Sequence, residues 1–412
     1  MVVLKKISFK KRKDVKNKKF TTSETTLLVI LTLLIGFLLG SLIGCPGIVT
    51  QKIIIADNDL KEFVENYEYI LNNYYEDIDG EELIGSAING MMESLEDPYS
   101  MYFNETESEN FSITLNGSYQ GVGVQIVKDD TNGNILITAV FNNSPASKAG
   151  LKPGDEIISL DGESVKDYTA DEFSSKIKSD KKSKFKLKIL RDEKEKDIVV
   201  EKSLVTLDSV VSEVYEKNDK KIGYIYIGIF ANNTYYQFKD LLDELEKEKI
   251  DSLIIDVRGN TGGHLTAVDS ILDIFLTEKQ KMYGFDQNGK ISYIYGTGEK
   301  NKNYEIVLLG DAISASASEV LIAGLRENLG SKFFGEKTYG KGTVQEMIDL
   351  SSGAKYKLTI KKWLTPKGNW INDTEGIIPD KEIELDEKYY ETYLDEDDSQ
   401  LNYAIEYLSE RK

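Results

Sequence analysis

Two short stretches carry the residue types that nucleophilic chemistry needs. Ser314-Ala315-Ser316-Ala317-Ser318 places three hydroxyls within five residues, and Gly340-Lys341-Gly342 brackets a lysine with glycines. The chain has one histidine, His264, and one cysteine, Cys45. That is too few ligands for a zinc site built from His and Cys. A Cys–His pair would need Cys45, which ends an apolar segment. A Ser-His-Asp triad stays open only through His264. Otherwise the base for a serine is a lysine, whose pKa must fall from about 10.4 towards neutrality, as burial in an apolar pocket achieves. Glycine neighbours let the backbone come close and turn the amine inward. The competing reading of Ser314, Ser316 and Ser318 is helix capping, which fits one of them.

Ser316 falls between a predicted strand, 306–309, and a predicted helix, 320–329. Its hydroxyl would sit at a helix N-terminus, with the Ala317 N–H beside it, placed to share an oxyanion. A second loop, Asp256-Val257-Arg258-Gly259-Asn260-Thr261-Gly262-Gly263, follows a buried strand and opens another helix. Glycines there let backbone N–H groups point at an anion. Neither dinucleotide nor P-loop spacing is met. An oxyanion hole for a tetrahedral acyl intermediate uses the same physics.

The elements that must hold these loops alternate. Strands are expected at 222–227, 252–257 and 306–309. Amphipathic helices run through Phe238, Leu241, Leu242 and Leu245, and through Leu265, Val268, Ile271, Leu272 and Phe275. Strand–helix alternation predicts a mostly parallel α/β core over 210–385. A hairpin follows around Ser351-Ser352-Gly353. Residues 386–412 read as an acidic tail, a solvated face or mobile end. Upstream, 53–115 reads as a helical region, with Phe63, Tyr67, Ile70 and Leu71 on one stripe and a stop at Asp97-Pro98-Tyr99-Ser100. Residues 118–204 are β-rich. They contain a capped short helix at 144–150, an amphipathic helix at 169–179 and a turn, rather than a calcium loop, at 129–134.

Charge divides the chain. Residues 1–24 carry nine Lys/Arg against Asp14 and Glu24, a net +7, which leaves −26 on the rest of a chain whose formal charge is −19. So acidic a body argues against nucleic-acid binding. Residues 27–43 are almost wholly apolar, and 25–44 just suffices to span a bilayer. The basic flank predicts a cytoplasmic arm at 1–24, an uncleaved signal anchor and an external body. The alternatives are a cleaved signal peptide and, through Leu42-Ile43-Gly44-Cys45, a lipoprotein modified at Cys45.

The run SPASKAGLKPGDEIISLDG resembles a PDZ domain, which binds a partner's free C-terminus as an added strand. By that resemblance the carboxylate loop is Gln120, Gly121, Val122, Gly123 and Val124; the bland reading of its glycines is a turn. LEDPYSMYF, the PDZ run, LIIDVRGNTGGHL, SASASEVLIAGL, GEKTYGKGTVQ and GIIPD together resemble the C-terminal processing peptidases, or tail-specific proteases, over about 63–380. The resemblance implies an α/β, crotonase-like protease core with an inserted PDZ domain. It implies Ser316 as nucleophile, Lys341 as base, Gln345 orienting the lysine, and oxyanion donors at Gly262, Gly263 and Ala317. It implies protein or peptide substrates with free apolar C-termini and no metal or cofactor, and it allows a homodimer. Thr261, His264 and Trp370 stand where the family usually has proline, leucine and a small residue, which bears on substrate preference. The alternative is a PDZ scaffold with an inactive protease-like core; a substituted Ser316 or Lys341 would have marked it, and both are present.

Overall fold

The computed structural model describes residues 58–298, 302, 304–392 and 394–411. The apolar span 27–43 and Cys45 lie outside them. Among the described residues, no helix is long and apolar enough to cross a membrane. The chain divides into two bodies at Ile78. The first contributes one helix, Asn58–Asn73, whose predicted stripe exists but leaves Phe63, Ile70 and Leu71 exposed.

The second body is built on a six-stranded sheet in the order Val210–Lys217, Lys220–Ile227, Ser252–Asp256, Glu305–Gly310, Lys332–Gly335, Lys381–Glu382. Only its first pair is antiparallel. Helices Thr234–Lys247, Leu265–Phe275 and Ala317–Leu329 bury their apolar sides with Ile225, Ile227, Leu253, Ile255, Ile306 and Leu308. The alternate residues Ile222, Ile254, Val307 and Leu309 face the opposite way, onto Leu401, Ala404, Ile405 and Leu408. With both faces covered, these strands must be apolar throughout, which is why they read as continuous runs.

The acidic tail is thus a misreading. Ser399–Ser409 is a helix that buries a stripe at i, i+3, i+4 and i+7. Asp398 caps it by accepting from the Gln400 and Leu401 N–H groups. The same carboxylate pairs at 2.8 Å with Arg258, which also grips Asp256. The C-terminal helix is therefore riveted to the loop that follows the third strand.

The N-terminal helical region is interrupted. Helices Gly80–Glu93 and Glu105–Asn116 flank a short strand, Met101–Phe103. That strand joins a second sheet made of the hairpin Thr343–Asp349/Lys355–Leu364 and of Lys281–Gln287/Lys290–Tyr295. Only the first hairpin was legible beforehand. The β-rich unit closes around its own core, with Ile135, Ile157, Phe173, Phe185, Leu187 and Ile189 at its centre. Its ends are zipped by pairing of Ser118–Gly121 with Ser203–Thr206. The base of that ribbon is tied to the α/β core, where Asn233 Nδ2 donates to Gly117 O at 2.8 Å.

Candidate active site

The strand Glu305–Gly310 runs into the turn that holds the three serines. Ser314 Oγ donates to Val257 O at 2.8 Å and accepts from the Asp311 N–H. Ser318 Oγ donates to Asn260 O at 2.9 Å. Both hydroxyls bind the turn to its neighbour loop. Ser316 differs. It has φ 54° and ψ −111°, a region that L-residues avoid, and unlike the other two its hydroxyl is not tied to the facing loop. Such a backbone costs on the order of 1–3 kcal/mol and persists only when its surroundings impose it. Ser316→Gly is therefore expected to be inactive yet about 1 kcal/mol more stable than Ser316→Ala in chemical denaturation. Equal stabilities would show that the turn is relaxed.

Asn260, fully buried, is the hub of the facing loop. Its amide donates to Ile227 O, its side-chain oxygen accepts from the Gly262 N–H at 2.8 Å, and its carbonyl accepts from Ala315 N–H and Ser318 Oγ. The Gly262 N–H is thereby spent, which removes it from the expected oxyanion donors. Gly262 instead permits close approach: at φ +111°, a Cβ there would lie 3.0 Å from both Ala315 O and Ser316 Cβ. The Gly263 and Ala317 N–H groups donate no such bond among the described residues and remain available. Gly263, at φ +137°, bridges to Phe230, and a Cβ on it would come within 2.2 Å of Phe230 O. Gly263→Ala is expected to destabilise the fold by about 2 kcal/mol or more and to lower kcat at least ~100-fold, readable by thermal melting and peptide hydrolysis.

The lysine segment is fixed from three sides. The buried Glu319 carboxylate accepts from the N–H groups of Ser316 (2.8 Å), Gly340 (2.7 Å) and Lys341 (2.9 Å), and from Thr338 Oγ1 (2.6 Å). Burial pushes this carboxyl upward, and the four donors pull it back. Trp363 Nε1 donates to Lys341 O and Trp370 Nε1 to Gly342 O. The indole in place of the family's small residue therefore clamps the lysine turn. The Lys341 ammonium sits 4.8 Å above the Tyr99 ring, with no carboxylate within 4.0 Å among the described residues. Burial, then the like charge of Lys357, lower its pKa to about 8, against the opposing pull of Asp97 and Glu319.

Ser316, Lys341, Gln345, Gly262 and Gly263 all line one cavity of about 530 Å³, together with His264 and Lys357. No hydrogen bond joins the serine and the lysine. Gln345 departs from its expected partner: its amide donates to Thr343 and Thr359 Oγ1 at 3.0 Å each, not to Lys341. His264 is not a surface residue. It precedes the helix Leu265–Phe275, its N–H donates to Phe230 O, and its buried Nε2 has no partner among the described residues. Burial lowers its pKa, so it is a neutral wall residue.

Sequence reasoning missed Glu319, Asn260, Lys357 and the Asp97–Tyr99 turn. The first had a signal, since Ser316-x-x-Glu319 has the spacing of a capping box. Asn260 lay inside the named glycine loop but was given no role, and Lys357 and the Asp97–Tyr99 turn are brought in by distant chain segments.

A second cavity, of about 360 Å³, lies in the β-rich unit between the strand Val124–Lys128 and the helix Ala170–Ser179. Gly121, Val122, Gly123 and Val124 line it, while Gln120 is exposed and stands outside it, a correction to the expected loop. Gly123 has φ +83°, and Phe141, Phe173 and Ile177 supply an apolar lining.

Comparison with known proteins agrees with this division. The model of peptidase family S41 matches residues 221–383, a PDZ domain model matches 112–190, and a model described as the N-terminal domain of activating protease CtpB matches 48–107. The carboxy-terminal processing protease CtpB of Bacillus subtilis (strain 168) is 38% identical over 326 residues, which is 78% of this chain and 67% of that protein. CtpA of the same organism is 34% identical over 86% of this chain and 75% of its own length. A probable CtpA-like serine protease of Staphylococcus haemolyticus is 32% identical over 89% of this chain and 73% of its own. On these grounds the chain belongs to peptidase family S41, among the carboxy-terminal processing proteases.

Proposed function

We propose that this peptidase is a membrane-anchored, extracytoplasmic endopeptidase that captures substrate C-termini in its PDZ groove and cleaves by a serine–lysine mechanism on a crotonase-like core. The observation that carries the reading is a half-buried lysine amine with no acidic partner among the described residues, facing the same cavity as a serine held in a strained turn. Neutral Lys341 takes the Ser316 proton as Oγ attacks the scissile carbonyl. The Gly263 and Ala317 N–H groups receive the oxyanion. Lys341 returns the proton to the leaving amine and then activates water against the acyl-enzyme. The hydroxyl and the amine are not hydrogen-bonded, so the lysine wall must close on the serine turn before transfer, as catalytic contacts commonly tighten with substrate bound. Gln345 reaches Lys341 only if that closure frees its amide from the two threonines.

The anchor rests on the sequence: nine basic residues precede an apolar span of bilayer length, and Cys45 keeps the lipoprotein variant open. The test is to mix the chain with an unstructured protein ending in apolar residues, beside Ser316→Ala, Lys341→Ala and His264→Ala. Cleavage by the parent and by His264→Ala, and by neither of the others, is expected. Cleavage that survives Lys341→Ala and disappears with His264→Ala would transfer the base role to the histidine.

A further inference from the structure

The cavity that Ser316 and Lys341 line is basic, although the chain is acidic. The chain carries a formal −19, yet among the described residues no Asp or Glu lines the cavity, while Lys341, Lys357 and His264 do. Lys341 has its role in the reading above. Lys357 has none, and its setting is unusual. It lies mid-sheet, paired with Met347 on one side and Met101 on the other, so its backbone is fixed. On that hairpin the Gln345–Thr359 pair is the next on the same face, about 7 Å along.

The Lys357 ammonium lies 5.7 Å from the centroids of both Phe103 and Phe111, which stack at 5.0 Å. Among the described residues it has no hydrogen-bond acceptor and no carboxylate within 4.0 Å. Its strand neighbour Lys355, by contrast, is paired with Asp349. Asp97 is the carboxylate whose field reaches it, and that group is already held by the Tyr99 N–H at 3.1 Å and the Ser100 hydroxyl at 2.6 Å. Burial without a partner disfavours an ammonium. Here it opens onto the cavity beside Leu115, Ile229, Leu265 and Met347. Apolar walls around one unanswered cation make a receptor for a carboxylate set among apolar groups.

We propose that Lys357 binds a carboxylate of the substrate during cleavage. This rests on Ser316 and Lys341 being the catalytic pair. Two sources share the chemistry: the substrate's own terminal carboxylate when the scissile bond lies near the chain end, and an Asp or Glu side chain near that bond.

The test measures kcat/KM for the full chain on matched apolar peptides. One series walks Glu against Gln through the positions flanking the cut. The other compares a free C-terminus with its amide. Each is run with the parent, Lys357→Met, Lys357→Gln and Lys357→Arg, and scored as the carboxylate-to-amide ratio within each variant. That ratio cancels anything Lys357 does to folding or to Lys341. The parent is expected to favour the carboxylate about tenfold or more in one series, the scale of a charge-assisted hydrogen bond. The ratio should fall to near one in Lys357→Met and Lys357→Gln and persist in Lys357→Arg. The series that responds identifies the source. A PDZ preference for free ends would survive in all variants and so is told apart. A parent ratio near one in both series, or a ratio unchanged in Lys357→Met, overturns the proposal. The catalytic reading is judged separately, by Ser316→Ala and Lys341→Ala.

Discussion

Lys341→Met is expected to lower kcat by about 10³- to 10⁴-fold, as removal of a catalytic base does, while leaving the protein folded. In the parent, activity should rise with pH along a single acidic limb with its midpoint near 8, where Lys341 loses its proton. Below that midpoint the base is protonated, and the rate falls tenfold per pH unit; above it the rate is flat. Lys341→Arg should not rescue, because guanidinium does not deprotonate. Asp97→Asn removes a charge that favours the ammonium, so the midpoint should move down, towards neutrality. A limb below the ordinary imidazole range that vanishes with His264→Ala would instead point to the imidazole, whose pKa burial lowers.

The same burial has a stability consequence of definite sign. The folded-state pKa of Lys341 lies below the unfolded value of about 10.4, so between pH 8 and 10.4 the unfolded chain holds more protons and stability rises with pH. At pH 7 the lysine is charged in both states, and the folded protein carries the full penalty. Lys341→Met is therefore expected to stabilise by about 2 kcal/mol at pH 7, after discounting the residual exposure. The gain should shrink as pH approaches 10. An inactive variant that is also less stable at pH 7 would contradict the desolvated-base picture.

Glu319→Ala is the second large effect. One carboxylate satisfies three backbone N–H groups and the Thr338 hydroxyl, and two of those N–H groups belong to Ser316 and Lys341. Removing it strands several buried donors at about 1–3 kcal/mol each, so a total loss of about 3–5 kcal/mol is expected. The strained Ser316 turn also loses its tie to the lysine segment. Activity should fall at least ~100-fold even at temperatures where the variant remains folded. Glu319→Gln keeps the shape but offers fewer acceptors and turns an amide N–H towards other donors, so an intermediate result is expected. Full activity in a folded Glu319→Ala would mean that the clasp holds the fold and not the site.

The candidate nucleophile and base were named from short, local patterns. Ser316 and Lys341 stood out because the chain offers almost no histidine or cysteine and because small residues flank both. Strand–helix alternation announced the parallel core, since strands covered on both faces must be apolar throughout. The capped helix Pro145–Ala149 and the helix Ala170–Ser179 likewise appear where their cap residues place them.

Other features depended on which distant groups fold against one another. Ser399–Ser409 looked like a tail because tyrosines and an acidic run mask its four-residue stripe; the sheet face awaiting that stripe lies far away in sequence. Gly262 looked like an oxyanion donor because a glycine turn shows that an N–H is free to point, not where it points, and Asn260 claims it. Gln120 fell outside the groove by one step of strand alternation. Lys357 drew no notice within its hairpin, and only the meeting of Met101–Phe103 with that hairpin places it on the cavity wall. Residue type, spacing and caps dictate local conformation and the available chemistry. The direction of each donor and the dryness of each charge are set by contacts across the fold, and here those contacts put Lys341 and Lys357, sixteen residues apart, on one cavity wall.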